Sequence, residues 1–244
     1  MEPPAPSGDR LCVVYGHSLP AGLQLVQGQE VTAADGAVRA IDAGSLVALP
    51  RHGLKREIPA HLVDHHANVR AICELGCDRV LALGSAGSLR PEALPVGTLA
   101  CPDDFLALGI APSFYEDPRG HTVPGFQPEW RGRVVEAFAA QSKAPFVADA
   151  VYAQTRGPRF ETPTEVRALA RDADLVGMTL AAEIVLAGEA GLAHAALCTV
   201  DNVANGLEDE PLTPHRYREG RERTARGLVA ALEQALPALA EAPR

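Results

Sequence analysis

The sequence predicts a single α/β domain whose sheet is covered on both faces. Three observations carry this. Apolar strand-like runs alternate with amphipathic helical runs through most of the chain. The strand-like runs are apolar throughout rather than alternating, as expected where both faces are buried. No internal repeat or long linker divides the chain, and 244 residues that are 47% hydrophobic can bury a sizeable core.

The elements follow in order. Residues 1–9 are polar and Pro-rich, and are expected to form a disordered leader before one domain over 10–244. "RLCVVYG" is a short strand ending at Gly16, and "SLVALP" is another, ending just before Arg51. Residues 59–76 have helical spacing of apolar positions, with Gly76 as the stop. "DRVLALGSAGSL" is a buried strand running into a loop of small residues, and "GTLACPDDFLAL" is a further strand. "PEWRGRVVEAFAAQ" is a second helix, and "PFVADAVYAQTRG" is strand-like. In "TPTEVRALARDA", Thr162 and Glu165 stand at capping-box spacing. "DLVGMT" is a strand, "AAEIVLAGEAG" a helix ending at Gly191, and "AHAALCTVDNVANG" a long strand breaking into a loop. The C-terminal helix starts near "TPHRY", and its charge-rich stretch "HRYREGRERTARG" is expected to be a solvated face.

Bulk properties exclude several classes. No run of 18 apolar residues is present, so no membrane span is expected, and the N-terminus lacks an apolar signal segment. The five scattered cysteines fit a reducing cytoplasm without a disulfide framework. A net charge of -9 argues against a broad nucleic-acid surface but leaves room for one local basic pocket.

In such folds ligands sit beyond the C-terminal ends of strands. Arg51 and His52 lie there, as do Gly16, the segment 84–88, Met178-Thr179 and Asp201-Asn202. Arg51 offers a planar fork of donors for an oxyanion, and His52 a ring nitrogen near its titration range. The small residues of 84–88 let backbone N–H groups approach an anion, and Ser85 and Ser88 add hydroxyls. Together with Thr179 these resemble a phosphate or carboxylate site. A surface turn is the competing reading of Arg51-His52 alone. His61, His65 and His66 have helical metal-ligand spacing but no convincing acidic partner, so no metal is expected.

The segments "LPRHG", "HANVRAICELGCDRVLALGSAGSL", "RGPRFETPTEV", "DLVGMTLAAEIVLAGEAGL" and "VDNVANG" occur in that order. Over residues 11 to 235 they resemble the trimeric purine nucleoside phosphorylase family, closest to its methylthioadenosine and methylthioinosine branch. The resemblance implies a twisted mixed sheet, partly closed into a barrel and surrounded by helices. It implies a homotrimer without metal or organic cofactor, using inorganic phosphate as co-substrate. It also implies attack of phosphate on C1′ of a purine nucleoside as the purine leaves. Arg51, His52, Ser85 and Thr179 match the phosphate site, and Met178 the ribose contact. Phe160, Glu161 and Asn202 match the base pocket. Asn202 and His52 are the implied catalytic groups, and His215 and His65 are further candidates for the sugar.

Glu161 with Asn202 favours a 6-oxopurine, because an amide can donate to the base whereas a carboxylate only accepts. A one-residue shift would bring Asp201 to the base instead and restore adenine. The family's opening glycine loop is altered to Tyr15-Gly16-His17-Ser18, where Ser18 can restore the phosphate-binding hydroxyl. Three alternatives stay open: a phosphorylase of methylthioadenosine or another 5′-modified adenine nucleoside, a purine nucleoside hydrolase, and a non-catalytic nucleoside-binding homologue. "DDF" at 103–105 matches a family segment near the site, and the acidic stretch 207–212 is expected to form a loop able to close over the base.

Overall fold

The computed structural model describes residues 2–6, 8–16, 28–55, 58–141 and 144–241. The elements run β1 (Leu11–Tyr15), β2 (Gln29–Ala33), β3 (Val38–Ala43), β4 (Leu46–Pro50), α1 (His65–Glu74), β5 (Arg79–Ser88), β6 (Leu99–Ala100), β7 (Asp104–Leu106), α2 (Pro128–Gln141), β8 (Phe146–Val147), β9 (Val151–Gln154), α3 (Pro163–Leu169), β10 (Leu175–Gly177), α4 (Leu180–Glu189), β11 (Ala193–Val203) and α5 (Pro214–Glu241).

All eleven strands join one mixed sheet, and β5 is its hub. The first half of β5 lies parallel between β1 and β11. Its last two residues pair on the first edge with antiparallel β10 instead. One arm then runs β1-β4-β3-β2, another β10-β9-β7, and a third β11-β6-β8. The path does not close, so the expected partial barrel is corrected to an open, branched sheet. The physical reason lies on β5. β1 stops opposite Ala82 and β10 begins opposite Gly87, leaving residues 83–86 without a strand partner on that edge. The arms diverge around this gap.

Both faces are covered, as the apolar strands predict. Val80, Ala82, Ala196 and Cys198 pack with Ile72 of α1 and Ile184 of α4 on one side. Leu81, Leu83, Ala195 and Leu197 pack with Trp130 and Phe138 of α2 and Leu232 and Leu236 of α5 on the other. α5 approaches β11 closely at Gly220, where a Cβ would stand 1.9 Å from the Asp201 carbonyl oxygen. Among the described residues, no helix is long and apolar enough to cross a membrane.

Several local expectations hold. Thr162 and Glu165 close a capping box at the start of α3. All five cysteines are buried free thiols. Others are corrected. The expected helix over 59–76 starts later, because Asp64 caps α1 by accepting from the Ala67 N–H at 2.9 Å. Segment 84–88 is strand rather than loop, since β11 pairs along its whole length. Its residues are small because neighbours press on it: a Cβ on Gly84 would lie 2.9 Å from Leu180 Cδ1. The hairpin β2-β3 was not expected, as its exposed, polar residues break the apolar pattern. The expected leader contains no helix or strand among its described residues, yet Asp9 pairs with buried Arg79 and Glu2 with Arg119.

Candidate active site

A cavity of about 250 Å³ opens at the gap beside residues 83–86. It lies at the C-terminal ends of β1, β4, β10 and β11, where strand carbonyl ends and helix starts converge. Arg51, His52, Ser85, Phe160, Glu161, Met178, Thr179, Asp201 and Asn202 all line it. Nine of the predicted site residues are thus brought together from five separate stretches of chain. Ser18 and His17 lie outside the described residues. His65 and His215 do not line the cavity.

Arg51 follows β4 and is 3% exposed. Its Nε and Nη2 both donate to the Glu183 carboxylate, the latter at 2.8 Å, and Nη1 donates to the Leu83 carbonyl at 3.0 Å on the unpaired edge of β5. Glu183, in the first turn of α4, is itself 4% exposed. Burial alone would lower the pKa of Arg51 and raise that of Glu183; each charge reverses this for the other, so the pair is ionised. The guanidinium plane is fixed, and the second proton of each Nη remains to meet a ligand.

His52 is pushed below its ordinary pKa, first by burial and then by Arg51. Its Nδ1 lies 2.7 Å from the Ile58 carbonyl, which requires the proton there. Nε2, beside Gly16, is then an acceptor. The sequence suggested a donor; the structure makes the inward nitrogen a group that receives a proton, such as that of a protonated oxyanion.

Thr179 is the N-cap residue of α4, but its hydroxyl makes no capping bond. Its hydroxyl lines the cavity, while the N–H groups of this helix start are used within the protein, Thr179 donating to the Tyr152 hydroxyl at 3.4 Å and Ala182 to Gln154 Oε1 at 3.0 Å. Met178 is held by a close approach: Gly157 has φ +65°, and a Cβ there would meet Met178 Sδ at 2.6 Å. That turn carries the chain to Phe160 and Glu161. Glu161 is buried, accepts from the Thr155 hydroxyl at 2.5 Å, and has its backbone carbonyl held by Asn205 Nδ2 at 2.9 Å.

A bulge between Val200 and Asn202 turns β11 so that both Asp201 and Asn202 reach the cavity. Asn202 spends one Nδ2 proton on the Val203 carbonyl at 2.8 Å. Asp201 accepts from the Thr224 hydroxyl of α5. Burial pushes its carboxyl up, opposed by the neighbouring hydroxyls of Ser85, Thr224 and Thr199. Both residues of the one-residue ambiguity, Asp201 and Asn202, thus line the cavity.

His215 is exposed on the first turn of α5, with Nδ1 3.2 Å from Glu219. The helix turns it to solvent, away from the cavity. His65 is half-buried at the start of α1, with Nδ1 3.7 Å from Glu183 Oε1 and no hydrogen bond on that nitrogen. It lies behind the Arg51–Glu183 pair rather than before it. Asp103 is used structurally, accepting from the Ala150 N–H at 3.0 Å, and the 103–105 segment does not line the cavity. Of the acidic stretch 207–212, Leu212 lines the cavity while Glu208 and Glu210 pair with Arg216 outside.

Sequence reasoning missed the contribution of α5. Tyr217, Arg221, Thr224, Ala225 and Leu228 line the cavity, and the Tyr217 hydroxyl lies 3.2 Å from Ser85 Oγ. The stretch read as a solvated face is solvated only on its other side. The spacing of 217, 221, 224 and 228 is one helical stripe and was available as a signal. Glu183 was also missed, although a lone carboxylate among the apolar residues of "LAAEIVLAG" is conspicuous.

Two histidines flank this centre, His194 buried and His65 half-buried. His65 and His194 are both lowered to about 4, chiefly by burial. Unfolded histidines protonate near the ordinary 6.5, so between 6.5 and 4 the unfolded chain binds more protons. Stability is therefore fully present above that window and falls as pH drops through it, by up to about 1.4 kcal/mol per unit for each histidine. The raised pKa of Asp201 acts with the opposite sign above the ordinary carboxylate range. Urea midpoints at pH 7.5 and pH 5 should show the loss, and His194→Phe should reduce the difference between them.

The fold is shared with a solved protein. The chain superposes on methylthioadenosine phosphorylase from Schistosoma mansoni with adenine bound, at a TM-score of 0.79 and 23% identity over 94% of this chain and 91% of that one. The same enzyme without ligand gives 0.77. Sequence then places it: residues 22–237 match the phosphorylase superfamily, and the chain belongs to that superfamily. It is 35% identical to a probable 6-oxopurine nucleoside phosphorylase of Archaeoglobus fulgidus, covering 80% of each chain. It is 32% identical to the 6-oxopurine nucleoside phosphorylase of Pyrococcus furiosus, over 78% of this chain and 76% of that one. It is 37% identical to a probable S-methyl-5′-thioinosine phosphorylase of Methanosarcina acetivorans, over 73% and 69%.

Proposed function

We propose that this protein cleaves 6-oxopurine nucleosides with inorganic phosphate, giving free purine and sugar 1-phosphate. The observation that carries the reading is the shared cavity, whose lining includes Arg51 and the Thr179 hydroxyl as donors for an anion and Phe160, Glu161 and Asn202 as a ring and hydrogen-bonding groups for a base. The names of the relatives, with their 6-oxopurine and methylthioinosine substrates, support the same class.

Phosphate lies against the outward protons of Arg51 and the Thr179 hydroxyl, and passes its remaining proton to His52 Nε2. The sugar lies over Met178. As the C1′–N9 bond breaks, its electron pair moves onto the purine, which takes up one proton from solvent to leave as the neutral base, balancing the one that phosphate gave up, and a phosphate oxygen forms the new bond to C1′. Glu161 accepts from N1–H, and the second Nδ2 proton of Asn202 stabilises charge at O6 or N7. The work is positioning and charge stabilisation, which fixed donors perform better than a strong acid. Ser18 adds a phosphate hydroxyl in this reading. No metal or organic cofactor is required, and a cytoplasmic homotrimer is the expected form. Five free, buried thiols suit that compartment.

The test is release of purine base from inosine, guanosine, methylthioinosine and methylthioadenosine, each with and without phosphate. Hypoxanthine or guanine should appear only with phosphate. Release indifferent to phosphate would make the protein a hydrolase, and release of adenine alone would reverse the base preference. Tight binding with no cleavage would make it a nucleoside-binding protein.

A further inference from the structure

Among the described residues, three charged side chains lining the cavity have a hydrogen-bond or ion-pair partner and one does not, while Asp201 also keeps Oδ2 buried without a hydrogen bond. Arg51 is neutralised by Glu183. Glu161 accepts from Thr155, and Asp201 from Thr224. Arg221 of α5 has no such partner. Its guanidinium carbon stands 5.7 Å from the centre of the Tyr217 ring. Its Nε is buried without a hydrogen bond, and among the described residues no carboxylate forms an ion pair with it. A part-buried cation with unused donors is costly to hold, and an entering anion relieves that cost.

Position favours the same conclusion. Arg221 stands one turn after Tyr217, whose hydroxyl reaches Ser85, and one turn before Thr224, which reaches Asp201. Its charge acts on both His52 and Asp201, although burial is the larger influence on each. With Arg51 paired and His52 held neutral, Arg221 is the lining cation that makes no ion pair among the described residues.

We propose that Arg221 is a second oxyanion-binding residue of the cavity, taking a phosphate-type group across from Arg51. The chemistry is shared by two sources: the free phosphate co-substrate, and an acidic group carried on the 5′ end of the nucleoside. The choice between them rests on the phosphorolytic reading; the binding of an oxyanion by Arg221 does not.

Binding is therefore measured apart from turnover, by calorimetric titration of the wild type, Arg221→Gln and Arg221→Lys with inorganic phosphate, inosine and inosine 5′-monophosphate. Arg221→Gln should weaken one of the two phosphate-bearing probes at least tenfold and leave inosine within about twofold. Arg221→Lys should recover part of the loss, since a point charge replaces the fork. Loss confined to inorganic phosphate, with a matching rise in its KM, assigns Arg221 to the co-substrate. Loss confined to inosine 5′-monophosphate assigns it to a 5′ substituent. Unchanged affinity for both probes in Arg221→Gln overturns the proposal. Anion binding that depends on Arg221 in a protein that cleaves no nucleoside would uphold it while removing the phosphorolytic reading.

Discussion

Glu183→Ala should lower the stability of the fold by about 3–5 kcal/mol, the cost of leaving a buried charge without its partner. Arg51 is 3% exposed and directs two of its three nitrogens at that carboxylate. Removing Glu183 strands the guanidinium between α4 and β5, with only the Leu83 carbonyl left. Glu183→Gln keeps one acceptor but turns an amide donor toward a donor, and should cost less than alanine. Glu183→Leu combined with Arg51→Met should cost less than the sum of the single changes, because no unpaired charge remains. Urea denaturation of these five variants, the single changes Glu183→Leu and Arg51→Met included, at pH 7.5 checks this. Additive losses in the double variant would mean that the two groups are not coupled. Surviving single variants should also show a raised KM for phosphate, since the plane of Arg51 is no longer fixed.

Asn202→Asp should reduce kcat/KM for inosine by about a hundredfold or more, and shift preference toward 6-amino purines. The amide holds one proton on the Val203 carbonyl and has a second to give. A carboxylate has none to give, and places negative charge against a leaving base that is itself gaining electrons. An exocyclic amine would meet the new carboxylate favourably. Competing inosine and adenosine in one reaction measures the ratio directly. An unchanged ratio would move the choice of base to Asp201, which the β11 bulge brings into the same cavity.

Much of this architecture was legible from local pattern. Apolar runs located β1, β4, β5, β10 and β11, because a strand buried on both faces must be apolar throughout. The Thr162–Glu165 box located α3, because a cap depends only on residues three apart. The strand-end rule then pointed to Arg51, His52, Thr179 and Asn202. The polar hairpin β2-β3 escaped because its stability comes from joining β4. The segment 84–88 looked like a loop because small residues give no apolar signal; β11 pairing along its length makes it strand.

The sequence by itself determined the α/β class, most of the elements and, of the nine predicted side chains that meet in the cavity, the seven that lie at strand ends, since these follow from periodicity, capping and strand ends; Phe160 and Glu161 came from the family resemblance. Only the tertiary structure decided the rest. It opened the sheet instead of curling it toward a barrel, because β1 and β10 pair with different halves of β5. It gave Arg51 its carboxylate from a helix 132 residues away. It turned His215 to solvent and Arg221 inward on one helix, since rotation about α5 is set by the approach of Gly220 to Asp201. Such long-range contacts have no signature in local spacing, and here they fix both the orientation of the anion clamp and the second cation of the cavity.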